Sequence, residues 1–441
     1  DVMREEIRKR ADMIRRGDVP EGYKETKVGV IPEEWEVNNL GELSTVTKLA
    51  GFEYSKYFNS YKDKGTIIVI RGTNITHNKL NLSDIKTIPI EVSKKLNRSQ
   101  LKKGDLVFAY VGTIGPVYMI QEDMKYHLGP NTSKISTNKK MMPKYLFEYF
   151  KSSYIKSEIK AFTSIGAQPS LSMTKIRKFQ IIVPTIIEQT TIANILTSAD
   201  KAIETTETLI SLKEQKKKWL MQNLLTGKVR LPGFKNPWKK FKLGNLFKER
   251  NERKQNSIYE LLSITSEKGV QKRTEIVRKD NSSHDKSKYK VIYQNDIGYN
   301  TMRMWQGVSG VSYYKGIISP AYTVLAPREG VHSIFMGYLF KLPKTINLFK
   351  RYSQGLVNDT LSLKYANFKK IVVLVPEYDE QTAIANILST ADKEITLLHQ
   401  KLDTLKQQKK ALMQLLLTGI VRTTGLTLSS DTEEEGVAYV R

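Results

Sequence analysis

VPTIIEQTTIANILTSADKAIETTETLISLKEQKKKWLMQNLLTGKVR, residues 183–230, returns as VPEYDEQTAIANILSTADKEITLLHQKLDTLKQQKKALMQLLLTGIVR, residues 375–422. The offset is 192 residues throughout, with no gap. About 24 of the 43 positions from 188 to 230 are identical to their copies, far above chance for a self-comparison. The chain carries a duplication. Each copy follows a proline (Pro184, Pro376), continues without Pro or Gly, and stops at Thr226-Gly227 or Thr418-Gly419. That is the punctuation of a long helix closed by a C-terminal glycine.

In the second copy Ile384, Leu388, Ala391, Ile395, Leu398, Leu402, Leu405, Leu412 and Leu416 recur at steps of four and three, interrupted only by Lys409. This is a heptad seam. The first copy keeps the register at Ile192, Leu196, Ala199, Ile203, Ile210, Leu220 and Leu224, with Thr206, Lys213 and Lys217 in its middle. Two matched seams in one chain most simply pack on each other. Packing of each helix on its own domain, or pairing between two copies of the chain, are the other readings.

Between the helices lie two blocks of similar size. They open alike, with WEVNNLGEL at Trp35 and WKKFKLGNL at Trp238. Strand-like runs follow: TIIVIRGTNI, GDLVFAYVGTIGPVYMI and FQIIVP in the first, GVSGVSYYKGIISPAYTVLAP and KKIVVLVP in the second. An aromatic-rich helix precedes the last strand of each, near residues 145–159 and 335–352. The expected fold class is α+β: two similar mixed α/β domains with β-rich cores, separated by the two long helices. The expected boundaries are an N-terminal segment 1–35 packing near the helices, a first domain 36–184, a helix 185–230, a second domain 231–376, a helix 377–422, and an acidic tail 423–441.

The charge locates the function. The chain has 71 basic and 45 acidic residues, net +26. About +12 falls on residues 36–184 and about +15 on 239–376, while the helices and termini are nearly neutral. A generic solubilising charge would not avoid the helices, so each block reads as a separate polyanion-binding surface, with double-stranded DNA the commonest such partner. About 38 helical residues span about 57 Å, or up to roughly 17 base pairs of duplex. Two different readers joined by such helices should recognise a bipartite, asymmetric target.

Several classes are excluded. There is no cysteine, so thiol catalysis, disulfides and zinc fingers are out. His77, His127, His284, His332 and His399 form no metal-ligand spacing. No apolar run approaches the roughly 18 residues of a membrane helix, and the charged start lacks a signal-peptide core, so a cytoplasmic protein without membrane contact is expected. No Asn-Pro-Pro-aromatic motif, glycine-rich cofactor loop or phosphate loop occurs; Asn236-Pro237-Trp238 is one proline short. Glu53 and Lys56 have a nuclease-like spacing but no partner carboxylate before them, and read as a surface turn. No catalytic centre, metal or cofactor is expected in this chain.

EQTTIANILTSADKAIE, EQTAIANILSTADKEIT and the closing LLTGKVR and LLTGIVR resemble the two conserved regions of type I restriction–modification specificity subunits. GYKETKVGVIPEEWEVNNLGEL, GDLVFAYVGTIGPV and SIGAQPSLS resemble that family's first recognition domain and its strand–turn elements. The resemblance implies two target-recognition domains, each reading half of a split site, and antiparallel helices acting as a spacer. It also implies two modification subunits that bind S-adenosylmethionine and methylate adenine, with restriction subunits adding ATP/Mg-driven translocation and cleavage. The alternative is a stand-alone DNA-binding regulator dimerising through its helices.

Candidate DNA contacts follow from side-chain chemistry. Arg71, Thr73 and Asn74 follow a strand-like run and combine guanine-, phosphate- and adenine-competent groups, although Asn and Thr there could equally satisfy a turn's own backbone. Gln168 and Ser170 lie in a polar turn before the last strand of the first block, and Gln354, Asn358 and Thr360 hold the same place in the second. Arg303 and Gln306 flank Trp305, which reads as core. Lys286, Lys288 and Lys290 suit phosphate. On the helices, Gln189, Asn194, Gln381 and Asn386 read as outward-facing residues that could receive the modification subunits.

Overall fold

The computed structural model describes residues 2–57, 65–163, 169–253, 259–276, 285–357 and 360–424. It divides into two compact units, one of residues 1–205 with 402–441 and one of residues 206–401.

The two long helices run from Ile186 to Leu224 and from Tyr378 to Leu417. Thr185 caps the first: its hydroxyl accepts from Glu188 N (3.3 Å) and donates to the Glu188 carboxylate (3.2 Å). Both helices end on left-handed glycines, Gly227 (φ +68°) and Gly419 (φ +72°). A Cβ on Gly419 would stand 2.5 Å from the Pro32 ring, and one on Gly227 would press the Trp238 indole at 3.4 Å. Each glycine therefore supplies both a positive φ and a flat seat for its neighbour.

Each unit contains the start of one helix beside the end of the other. In the first, Ile192 and Leu196 share a core with Leu416 and Leu417, and with Trp35, Phe108 and Tyr145 of the domain. In the second, Leu224 and Leu225 share a core with Ile384, Leu388, Phe247 and Phe335. The helices are antiparallel within each unit. Ile192, Leu196, Ile384, Leu388 and Leu402 are buried, whereas Ala199, Ile203, Ala391, Ile395 and Leu398 are half-buried. The polar interruptions of the seam are paired: Lys213 with Glu394 (2.7 Å), Lys217 with Asp392, and Lys409 with Asp200 and Glu148.

The domains share the strand order of their largest sheet. The first has a four-stranded antiparallel sheet ordered Val117–Met119, Leu106–Ala109, Thr132–Thr137, Ser44–Lys48. The second repeats that order with Ser309–Val311, Ile297–Asn300, Tyr322–Pro327 and Phe247–Glu249. A two-stranded ribbon joins each domain to its helix, Gln180–Val183 with Glu36–Asn39 and Val372–Val375 with Lys239–Lys242. Two short helices cover each sheet: Pro143–Phe150 and Ser153–Phe162 in the first, Ser333–Phe340 and Pro343–Tyr352 in the second. In the N-terminal segment, the helix Val2–Arg16 is tied to the end of the second long helix by Arg10 donating to Ile420 O (2.7 Å). Tyr23 adds a bond to Gly419 O (2.6 Å).

Two expectations need correction here. Gln189 and Gln381 do not face outward; they are 0% and 2% exposed. Gln189 donates to the carbonyls of Lys140 and Pro184 and accepts from Met142 N, and Gln381 repeats this with Gly330, Pro376 and His332 N. Each amide is fully used in fastening a helix start to its domain. Asn194 is half-buried and Asn386 exposed. Glu53 is also no surface turn: it lies buried on the helix Gly51–Tyr57, accepting from Ala50 N and the Ser99 hydroxyl.

Candidate nucleic-acid interface

In the first unit three loops meet at the ends of neighbouring strands. Ile67–Ile70 runs into Arg71, Leu106–Ala109 runs into Tyr110, and Thr132–Thr137 starts after Asn131. Bonds tie them: Gly129 N and the Thr132 hydroxyl donate to Ile70 O, and Tyr110 N to Asn131 O. Gly112 N donates to Pro169 O and Leu171 N to Tyr110 O, which brings Ser170 alongside the Tyr110–Gly112 turn. The structure thus gathers the Arg71–Asn74 and Ser170 segments into one region. Gln168 lies outside the described residues.

Within the first loop the three candidates separate. Arg71, its side chain 18% exposed, donates to Asn74 Oδ1 (3.1 Å), Asp84 O (2.6 Å) and the Asp84 carboxylate (3.0 Å). Asn74 is 3% exposed and spends its amide on Asn81 O and Asp84 O. Both side chains hold the 71–84 loop in shape, and withdrawing either toward a base would break the bonds to Asn81 and Asp84 that close it. Thr73 sits between them, exposed.

The second unit repeats the arrangement with other residues. After Ile297–Asn300 comes a turn through Thr301 and the short helix Met304–Gln306. Leu363 N donates to Thr301 O (2.9 Å) and Thr301 N to Ala321 O (3.3 Å). Backbone bonds between Gln354 and Ser362 close the neighbouring loop at its base. Lys341 supports the turn from below, its ammonium donating to Gly307 O (2.8 Å) and Ser309 O (2.9 Å); burial pushes that ammonium down to about 8. Lys350 stands over the Trp305 ring at 5.7 Å.

Arg303, Gln306, Gln354 and Thr360 are exposed on these loops, while Asn358 lies outside the described residues. Trp305 is half-buried and donates to Met302 O (3.1 Å), capping its own turn. Lys288 is exposed and Lys286 half-buried over the Tyr289 ring. Lys290 is different: it is 8% exposed, its ammonium turned inward to Tyr322 O (2.9 Å), and burial lowers its proton affinity. It pins the strand and is not placed to meet a phosphate.

The residues that sequence reasoning missed hold the domains to the helices. Trp35 donates to Glu188 (2.8 Å), which also receives Arg422 (2.9 Å). Trp238 donates to Glu380 (3.1 Å), which receives Arg230 (2.7 Å). The signal was present in the duplication, which preserves the glutamate at 188 and 380 and the arginine at 230 and 422. Among the described residues no group of three or more His, Asp or Glu is arranged to hold a metal ion, and no helix is long and apolar enough to cross a membrane.

One sheet order used twice, with different loops at the same strand ends and a duplicated helix beneath each domain, defines a protein with two variant recognition domains on a constant base. The family model of the type I restriction modification DNA specificity domain matches residues 32–214 and again 235–407, and the chain belongs to that family. It is similar to a Methanocaldococcus jannaschii protein named as the MjaX type I restriction enzyme specificity subunit, 23% identical over 434 residues, covering 91% of this chain and 97% of the relative. It is also similar to the MjaVIII specificity subunit of the same organism, 27% identical over 216 residues, 47% of this chain and 49% of that one. The fold resembles the crystal structure of a type I restriction–modification S subunit from M. genitalium, with a TM-score of 0.56 at 14% identity, covering 87% of this chain and 96% of the other. The protein is a DNA specificity subunit of a type I restriction–modification complex.

Proposed function

We propose that each domain reads one half of a bipartite, asymmetric DNA site through the loops gathered at its strand ends, and that the long helices fix the gap between the halves. Thr73, Ser170, Arg303, Gln306 and Gln354 are the base-reading candidates, Lys286 and Lys288 the phosphate contacts, and Thr360, its hydroxyl bonded to both the N–H and the carbonyl of Val357, braces its loop. Arg71 and Asn74 shape the loop that carries Thr73. Two modification subunits bring S-adenosylmethionine and the adenine-methylating chemistry, restriction subunits bring ATP and Mg, and this chain contributes recognition without catalysis, in the cytoplasm. The observation that carries the reading is the reuse of one sheet order beneath two unlike loop sets, in two domains that carry nearly all of the chain's excess positive charge. A shared ligand would favour alike loops, whereas two different half-sites demand unlike ones.

On the second unit's part of the helices, Leu209, Leu212, Trp219 and Leu397 are 39–64% exposed and lie off the seam, which makes them the apolar surface for a modification subunit. Methylome sequencing of a host with and without the gene tests the whole. Loss of one bipartite adenine-methylated motif is expected; an unchanged methylome with all partner subunits expressed would overturn it.

A further inference from the structure

The second domain's reading surface holds an arginine and amides, yet it also presents exposed apolar side chains. Leu356 is 101% exposed, its neighbour Val357 61%, and Met302 on the adjoining turn 42%. A single exposed leucine on a protein surface needs no explanation. Three apolar side chains on two adjoining loops, within a unit rich in lysine and arginine, are a composition with a purpose.

The backbone under Leu356 is held in place. Gln354 and Ser362 exchange two backbone bonds, 2.9 and 2.8 Å. The Thr360 hydroxyl donates to Val357 O (2.9 Å) and accepts from Val357 N (3.2 Å). Gly355 has φ +148°, and a Cβ there would stand 2.5 Å from Thr360 O. The loop presents Leu356 outward from a fixed base.

Base chemistry says what such a residue can read. Arginine and glutamine side chains recognise guanine and adenine edges in the major groove, but thymine is set apart there by its C5 methyl group, which only an apolar contact can sense. We propose that Leu356 reads a thymine methyl in the half-site of the second domain, complementing Arg303 and Gln306 on the adjoining turn. This rests on the recognition function proposed above.

The test uses the full chain assembled with its modification subunits and duplexes carrying the motif found by methylome sequencing. Each thymine of both half-sites is replaced in turn by uracil, which removes only the methyl group. The wild-type complex should bind about fourfold more weakly at one such position, the ~0.8 kcal/mol of one buried methyl. Leu356→Ala should bind the native site about as weakly, should ignore the uracil at that position, and should respond normally to a change at any other base pair. A wild-type complex indifferent to every uracil, or a variant that still responds as the wild type does, would refute the assignment. Absence of any bipartite motif would instead remove the parent function, so the two failures are distinguishable.

Discussion

In the first unit Lys409 of the second helix reaches Asp200 of the first; in the second unit Lys217 reaches Asp392. Lys217 and Asp392 are the duplicate positions of Lys409 and Asp200, so one ion pair is made twice with the helices exchanged. The domains answer it differently. Glu148, at the sixth position of Pro143–Phe150, completes a charged quartet with Lys151, Lys409 and the part-exposed Asp200. Tyr338, at the sixth position of Ser333–Phe340, donates its hydroxyl to Asp392 while Lys217 lies 5.8 Å from its ring. The helices keep their half of each junction constant, and the domains vary theirs. A base that accepts either a carboxylate or a phenol can carry recognition domains of unlike sequence.

The constant part should be the hardest to break. Glu188 is 0% exposed and Glu380 2%, and each holds a tryptophan indole and an arginine. Replacing either glutamate by alanine leaves an indole N–H without its acceptor and takes away the arginine's bidentate partner, while Arg422 keeps Glu34 and Arg230 keeps Asn236 O; the two losses together cost about 3 kcal/mol. Glu188→Ala and Glu380→Ala should therefore cost similar amounts, seen by hydrogen exchange as lost protection in the unit that carries the change. A loss severe in one unit and negligible in the other would show that the two junctions do not share a plan.

The variant part should separate the units. Burial raises the proton affinity of Glu148 above the usual carboxylate range, against the pull of Lys151 and Lys409. Burial alone would lower Lys409, but Glu148 and Asp200 bring it above its ordinary value. Glu148→Gln leaves two buried ammonium groups to share Asp200, and about 3 kcal/mol of destabilisation is expected by denaturant titration. Tyr338→Phe removes one hydroxyl from a carboxylate that keeps Lys217, and about 1 kcal/mol is expected. Equal losses would mean that the quartet's charges contribute no more than a hydrogen bond.

The legible and illegible parts of this molecule divide along the same line. Ile192, Leu196, Ile384 and Leu388 were readable because a seam of period 3.5 is a local pattern, and the duplication doubled its signal. Lys213, Lys217 and Lys409 were visible as breaks in that seam, but their carboxylate partners come from other elements. Gln189 and Gln381 misled because a polar residue on a helix normally faces water, and the carbonyls that bury them lie about 50 residues back in the chain. Each sheet is completed by a pairing across 80 or more residues, Phe247 with Pro327 and Lys48 with Ser133, which no local period encodes. Arg71 and Asn74 looked like readers because they have the right chemistry, and only the fold reveals Asp84 as their partner.

One more residue ties a junction to its reading loops. Lys151 and Lys341 each directly follow the corresponding helix, but Lys151 faces the carboxylates of Glu148 and Asp200 while Lys341 faces the carbonyls of Gly307 and Ser309. Lys341 also borders a cavity of about 380 Å³ that Lys217, Lys218, Glu214 and Asp392 line. Burial holds its proton affinity at about 8 against an ordinary value of 10.5. Between those values the unfolded chain binds a proton that the folded one does not, so folding is favoured as pH rises. That contribution is complete above the ordinary value and is lost as pH falls through about 8. The stability of the wild type relative to Lys341→Met should therefore climb between pH 8 and 10.5 and stay level below that window, measured by denaturant titration at each pH. The same variant frees two carbonyls at the foot of the Met304–Gln306 turn, so at neutral pH it should weaken discrimination in the second half-site and leave the first unchanged. A flat pH difference would show that Lys341 carries no buried charge, and equal loss at both half-sites would show that it does not support the turn.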